Sequence, residues 1–383
     1  MKTLNPYKEA ADLLAEAGGE DFKLCYQCGT CSGVCPWNLV RTFNPRRLIH
    51  ESQFGLIDFA NEDNWICVSC NLCVQRCPRG VKIIDIMRAV RRAVISLGIA
   101  PIPDSLRITA KNISGTGNPF GELPEKRGEW SKGLGVKTFD SSTEILYFPC
   151  CVPAYDPDVK VVSQAVAAIL CKLDIDFGIL GSEEKCCGES IRKAGFEDIF
   201  QSLAQHNITT FKEHGVKTIL VSSPHCYHTF KNEYPELGGE FKVLHITQYL
   251  ASLIKQGELN FSREISKKVI YSDPCYLGRH NGIYDEPREV LQNIPGVELI
   301  EFPDNREDAI CCGGGSGRIW MDTAREERFS DIRVEQAIES GAEIIAVACP
   351  YCYLNYRDSV ISMGKDDVIQ VKDVSEIVAE AIG

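Results

Sequence analysis

Nineteen cysteines sit in this 383-residue chain, and their placement constrains it more than anything else. Eight lie between residues 25 and 77, eleven between 150 and 352, and none in between. Disulfide frameworks belong mostly to small exported domains. In a large chain without an export signal, the same residues point to metal binding or redox chemistry. The opening Met1-Lys2-Thr3-Leu4-Asn5-Pro6 lacks the apolar core of a signal peptide. No apolar run approaches the ~18 residues that span a bilayer. The expectation is a soluble, cytoplasmic protein.

The first block carries one motif twice. Cys25, Cys28, Cys31 and Cys35 precede Pro36, and Cys67, Cys70, Cys73 and Cys77 precede Pro78. Both read C-x2-C-x2-C-x3-C-P. Three thiolates on one tight loop can cap three irons of a cubane while the fourth cysteine reaches away. In two-cluster ferredoxins that fourth cysteine ligates the other cluster. The expected ligand sets are therefore Cys25, Cys28, Cys31 and Cys77 for one 4Fe–4S cluster, and Cys67, Cys70, Cys73 and Cys35 for the other. The competing reading, two structural zinc sites, would favour separated C-x2-C pairs over runs of four cysteines ending in proline.

Length suggests two or three domains, and 44% apolar residues suffice for a sizeable core. The net charge of −12 argues against a general nucleic-acid binder. Residues 1–97 read as a helical ferredoxin-like domain. Pro45 marks a helix start, and Val81, Ile84, Met87, Ala89 and Val90 recur at helical spacing. The opposite face of that second helix carries Lys82, Arg88, Arg91 and Arg92. It reads either as a solvated side or as a docking or charge-balancing surface. Residues 98–140, rich in proline and glycine, read as a connector without helix or strand.

The second block is duplicated. Pro149-Cys150 matches Pro274-Cys275, and Cys186-Cys187-Gly188 matches Cys311-Cys312-Gly313. Pro224-His225-Cys226-Tyr227 matches Pro350-Tyr351-Cys352-Tyr353. Short β-prone runs precede each cysteine group, and helical patterns such as Val162, Val166, Ile169 and Leu173 lie between them. This predicts two copies of a mainly parallel α/β unit, Rossmann-like, over 141–262 and 263–383. The thiols would sit beyond the carboxyl ends of the strands, where ligands of such sheets bind. The second copy has five: Cys275, Cys311, Cys312, Cys349 and Cys352. The first has Cys150, Cys186, Cys187 and Cys226, with Ser223 in the place of Cys349. Cys151 is a potential substitute, and Cys171 reads as a small buried apolar residue.

A duplicated C-x(n)-C-C-G-x(m)-C-P-x-C pattern behind a two-cluster ferredoxin segment resembles CoB–CoM heterodisulfide reductase, in the fused form with iron–sulfur and catalytic parts on one chain. The resemblance covers nearly the whole sequence. It implies that Cys275, Cys311, Cys312, Cys349 and Cys352 hold a noncubane 4Fe–4S cluster that reduces a disulfide. For Cys150, Cys186, Cys187 and Cys226 it leaves open a second noncubane cluster, an ordinary cluster, zinc or nothing. It also implies an oxidoreductase acting on sulfur groups within a complex, fed by two cubane clusters.

Gly313, Gly314, Gly315 and Gly317 would let backbone approach the cluster sulfurs. They meet neither Rossmann nor P-loop spacing for a nucleotide. No flavin or nicotinamide fingerprint is evident, so a flavin-containing or other electron-donor subunit is expected on another polypeptide. Any membrane contact would come through such a partner. Arg279 and His280, close after Cys275, are candidates for anchoring an anionic substrate or delivering a proton. So, on weaker grounds, are His225 and His228 around Cys226. Two functions compete: reduction of a thiol/disulfide substrate at the second copy, or onward electron relay without substrate.

Overall fold

The computed structural model describes residues 5–383. Met1–Leu4, on which part of the export-signal reading rests, lie outside the described residues. Among those described, no helix is long and apolar enough to cross a membrane.

Residues 5–97 are helical, with no strand among those described. Helix Pro45–Gln53 starts where proline costs no hydrogen bond, and the Asn44 side chain accepts from the Arg47 N–H at 3.1 Å. Helix Ile83–Leu97 buries Ile83, Ile86, Met87, Val90 and Val94 along one stripe and ends at Gly98 with φ 61°. This stripe packs on Phe22, Trp37, Phe43 and Ile49 in a core that also takes in Cys275 and Tyr276 from far along the chain.

Two parallel sheets follow. The first contains β1 (Lys137–Thr138), β2 (Ile145–Phe148), β3 (Phe177–Ile179), β4 (Thr218–Val221) and β5 (Lys242–His245), in the order β1-β3-β2-β4-β5. The second contains β6 (Lys267–Tyr271), β7 (Val297–Glu301), β8 (Ile344–Val347) and β9 (Gln370–Asp373), in the order β7-β6-β8-β9. All pairings are parallel, and apart from the short 139–144 link between β1 and β2 the connections within each sheet carry helices. Ile145, Leu146, Tyr147 and Phe148 are all buried, as a strand covered on both faces requires. Each such side chain contributes about 1.5–3 kcal/mol by leaving water. The sheets share reciprocal packing. Helix Val374–Ile382 of the second lies on Lys160–Lys172 of the first, and Ile246–Gln256 of the first lies on Asp285–Asn293 of the second. One continuous apolar core results.

Three features depart from the sequence reading. The 98–140 stretch holds helix Asp104–Thr116, which Pro103 precedes and Gly117 closes. Its prolines and glycines bound the helix instead of interrupting it. The same stretch also supplies edge strand β1, so the first sheet begins before 141. Cys171 is exposed, because it faces outward on the helix that buries Val162, Val166 and Ile169.

The third departure is the basic face of helix Ile83–Leu97. Arg91 is buried. Its guanidinium donates to the carbonyls of Asn64 (2.7 Å), Cys67 (3.0 Å) and Lys193 (3.1 Å), and to Ser316. Arg92 pairs with Glu197 of the first α/β unit. The Arg91–Arg92 part of this face is therefore an internal seam joining the N-terminal segment to both α/β units, while Lys82 is exposed and Arg88 pairs with Asp85 of its own helix. Gly315 presses on the same seam, where an added Cβ would stand 2.2 Å from the Val68 carbonyl. Arg91→Ala would leave several buried carbonyls without a donor. It should destabilise the protein by about 3 kcal/mol or more. Unfolding at wild-type denaturant concentration would refute the seam role.

Candidate metal centre

The cysteine loops of the N-terminal segment interleave. One small cavity is lined by Cys25, Cys28, Cys31 and Cys77. Another is lined by Cys35, Cys67, Cys70 and Cys73, with Trp37, Phe43 and Met87 as apolar wall. Each motif thus sends its fourth cysteine to the cavity of the other. The loops reach this arrangement through residues with positive φ: Gln27 and Gly29 in the first, Ser69 and Asn71 in the second. The first set lies nearer the surface, with Cys28 exposed beside Tyr26. The second set lies inside, and the Cys70 thiol touches Cys311 of the second α/β unit.

Around the second unit five thiols form a continuous chain. Cys275 lies 3.9 Å from Cys311. Cys311 meets Cys312, Cys312 meets Cys352, and Cys352 meets Cys349. All five are buried: Cys275 on the loop after β6, Cys311 and Cys312 on the Cys311–Gly313 loop, Cys349 after β8 at the N-cap of helix Pro350–Ser362, and Cys352 in that helix's first turn. The Gly313 N–H points at the Cys311 sulfur at 3.4 Å.

The first unit gathers five as well. Cys151 meets Cys186, and Cys186 meets Cys187. Cys187 lies 3.4 Å from Cys226, and Cys226 meets Cys150, which also touches Ser223. Cys151, the potential substitute, therefore stands within this thiol group. Strand register explains why the sequence match misplaces it. Ile145 pairs with Thr218 in the first sheet, and Val269 pairs with Ile344 in the second. Since β4 and β8 both lead into a helix opened by proline, Cys151 is the structural counterpart of Cys275, and Cys150 that of Pro274.

His225 and Tyr351 occupy matching positions in the two units and lie against each other, ring centroids 4.5 Å apart. Each reaches toward the opposite thiol group. His225 approaches Cys349, and Tyr351 lies near Cys150, Cys186 and Cys187. The His225 Nδ1 is 3.0 Å from the Glu189 carboxylate. Burial opposes a charge on His225, but Glu189 and the Cys349 thiol outweigh it and raise the pKa to about 10. The counterpart of Glu189 is Gly314, whose missing side chain leaves room for Tyr351. Tyr276 stacks on His225 at 4.0 Å and bonds the Ser69 hydroxyl at 2.9 Å, between two cysteines of the inner ferredoxin loop.

Arg279 and His280 lie at that same seam. The Arg279 guanidinium donates to the carbonyls of Cys70 (2.6 Å) and Ala309 (2.6 Å), with its charge near Cys275 and Cys311. The His280 Nε2–H donates to the Ser69 carbonyl at 2.8 Å, and its ring stacks on Tyr276. Burial and the neighbouring His228 keep His280 neutral, well below its ordinary pKa. His228 faces a polar cavity of about 260 Å³ beside Lys193 and Glu233, and burial and Lys193 push its pKa down to about 4. Sequence alone offered no signal for Glu189 or Tyr276. Each is recognisable only by what it touches.

A cavity of about 180 Å³ opens on Cys312, bordered by Arg318, Arg328, Asn355 and Trp37. Asn355 holds its floor by donating to the Cys312 carbonyl at 2.8 Å. Among the described residues no group of three or more His, Cys, Asp or Glu is set to hold a single metal ion. Donor sets made only of thiols fit iron–sulfur clusters.

Known proteins carry the same parts. A cysteine-rich CCG domain model matches residues 145–231 and 269–357, and a 4Fe-4S dicluster domain model matches 24–82. One subunit of the dihydromethanophenazine:CoB–CoM heterodisulfide reductase of Methanosarcina mazei is 34% identical over 94% of this chain and 93% of its own length. The chain belongs to that heterodisulfide reductase family. Within the wider group of iron–sulfur oxidoreductases, the EtfAB:quinone oxidoreductase of Syntrophomonas wolfei is 34% identical over 94% of this chain. The probable iron-sulfur-binding oxidoreductase FadF of Bacillus subtilis is 33% identical over 84%. The chain spans only 58% and 47% of those two proteins. A hypothetical protein from Helicobacter pylori shares the fold, with a TM-score of 0.58 at 10% identity over 88% of this chain and 65% of that one.

Proposed function

We propose that this chain is the iron–sulfur subunit of a complex that reduces a small thiol/disulfide substrate at its second α/β unit, on a Rossmann-like doubled scaffold. The observation that carries this is the cavity reaching Cys312, one of five converging thiols. The ligands would be Cys25, Cys28, Cys31 and Cys77 for the outer cubane, and Cys35, Cys67, Cys70 and Cys73 for the inner. Cys275, Cys311, Cys312, Cys349 and Cys352 would hold a noncubane cluster. Clusters bound there supply one-electron carriers and, at the five-thiolate site, a redox group able to engage a substrate sulfur.

The chain's own residues do the rest. The exposed Cys28 edge admits electrons from a partner polypeptide, which carries the flavin or other donor. Contact of Cys70 with Cys311 brings the inner ferredoxin set against the second unit. Arg279 and His280 act as positioning residues that fasten the Cys67–Cys73 loop to the second unit. Arg318 and Arg328 line the entrance together with Asp322, Glu327 and Asp358, and Arg328 pairs with Asp358 at 2.7 Å, so the mouth is polar and carries both signs of charge. In the net reaction one S–S bond breaks, two electrons and two protons are taken up, and two thiols leave.

The relay reading draws on the likeness to the EtfAB:quinone oxidoreductase, whose name couples it to a quinone. EPR of the oxidised full chain separates the two. Added thiol should shift the signal of the five-thiolate site. An unchanged signal, with electrons still passing to a partner, would replace the enzyme reading by the relay.

A further inference from the structure

The first α/β unit lacks the counterpart of Cys349 yet still assembles five thiols. Its contact order runs Cys151, Cys186, Cys187, Cys226, Cys150. The second unit runs Cys275, Cys311, Cys312, Cys352, Cys349. Position by position the chains agree, with Cys150 at the end that Cys349 occupies. Cys150 gets there by an unusual turn. Its φ is 69° and ψ 159°, a region that side chains other than glycine seldom adopt, and it swings the thiol to Cys226 and Ser223. Strain of this kind persists where the surroundings demand it and marks functional positions.

A second, independent feature lies next to it. Arg127 is buried, with Nε on the Glu184 carboxylate at 2.9 Å and Nη1 on the Cys151 sulfur at 3.5 Å. Its Nη2 has no partner. Glu184 already pairs with this guanidinium, and the free Nη2 donor leaves it able to serve a further anion close by. Arg279 likewise brings its charge near Cys275, although its hydrogen bonds go to the carbonyls of Cys70, Glu307 and Ala309.

We infer that the tandem Cys150-Cys151 makes the first unit a second five-thiolate cluster site, Cys151 serving as Cys275 does and Cys150 taking the ligand place left by Ser223, with Arg127 as buried counter-cation. This rests on the reading that the second unit's thiols hold a cluster. Each thiol gives up its proton on ligation, and no electron is exchanged in assembly.

Iron and acid-labile sulfide in the anaerobically purified full chain provide the test, with Mössbauer spectra beside them. Two cubanes and two five-thiolate sites require about sixteen irons. Cys150→Ser, close in size to the native residue, should lose about four of them or change the spectrum of that cluster. Ser223→Cys added to Cys150→Ser should restore both. Cys171→Ala, far from the site, should change neither. About twelve irons in the native chain, or Cys150→Ser with native iron and native spectrum, overturns the inference. Cys312→Ala keeps the underlying reading separate. If it costs about four irons while Cys150→Ser costs nothing, only this inference fails. If it too costs nothing, the cluster reading of the second unit has failed.

Discussion

Cys312→Ala should abolish disulfide reduction while both ferredoxin clusters stay reducible. Cys312 is the thiol of the second unit that borders the open cavity, and it links Cys311 to Cys352 within the chain of five. Losing even an outer partner of a metal ligand costs up to about a hundredfold in affinity or activity. Losing the ligand itself should cost more than that. The ferredoxin sets lie in their own cavities, with apolar walls from Trp37 and Met87 on one side and Ile49 and Val81 on the other. Their EPR signals on reduction should therefore persist and serve as the control for folding. The thiol-induced shift of the wild-type spectrum should vanish in the variant. Disulfide reduction within tenfold of wild type would place the chemistry elsewhere.

Cys70→Ser should break the electron supply. Cys70 lines the inner ferredoxin cavity and also touches Cys311, so it stands where the two sets of thiols meet. Turnover driven by the natural donor should fall by about a hundredfold or more. Turnover driven by a small reductant such as dithionite should fall far less, because the cavity at Cys312 is open to it. Cys73→Ser shares the inner cavity, and its pattern should be the same. Equal loss with both reductants, in protein whose outer cluster still reduces, would mean that electrons do not follow this order.

Ligation within one loop is a local matter. Three thiols of each ferredoxin set lie at three-residue spacing on one loop, so the motifs at 25–35 and 67–77 were readable directly. The α/β character was readable for a similar reason: a strand buried on both faces writes itself as a short apolar run, such as Ile344-Ile345-Ala346-Val347. Helix Asp104–Thr116 was hidden because its flanking prolines and glycines are the same residues that mark a loop. The basic face of Ile83–Leu97 misled for a different reason. Charge on a helix normally means solvent, but here carbonyls of the 64–67 stretch and of Lys193, with Ser316, satisfy Arg91 in the interior.

Residue type and spacing therefore settled the kind of chemistry, the helical and parallel α/β character, and the duplication. They did so because thiol ligation and backbone periodicity act over a few residues. Which thiols meet was decided by the assembled fold. The identical Pro-Cys pairs at 149–150 and 274–275 invite one alignment, whereas hydrogen-bonded register between parallel strands imposes another, one residue away. A one-residue shift along a strand sends a side chain to the other face. That shift, with the positive φ at Cys150, turns an apparent set of four thiols into five. Contacts between residues 150 and 226, or 70 and 311, are made by packing across tens to hundreds of residues, and no local pattern encodes them.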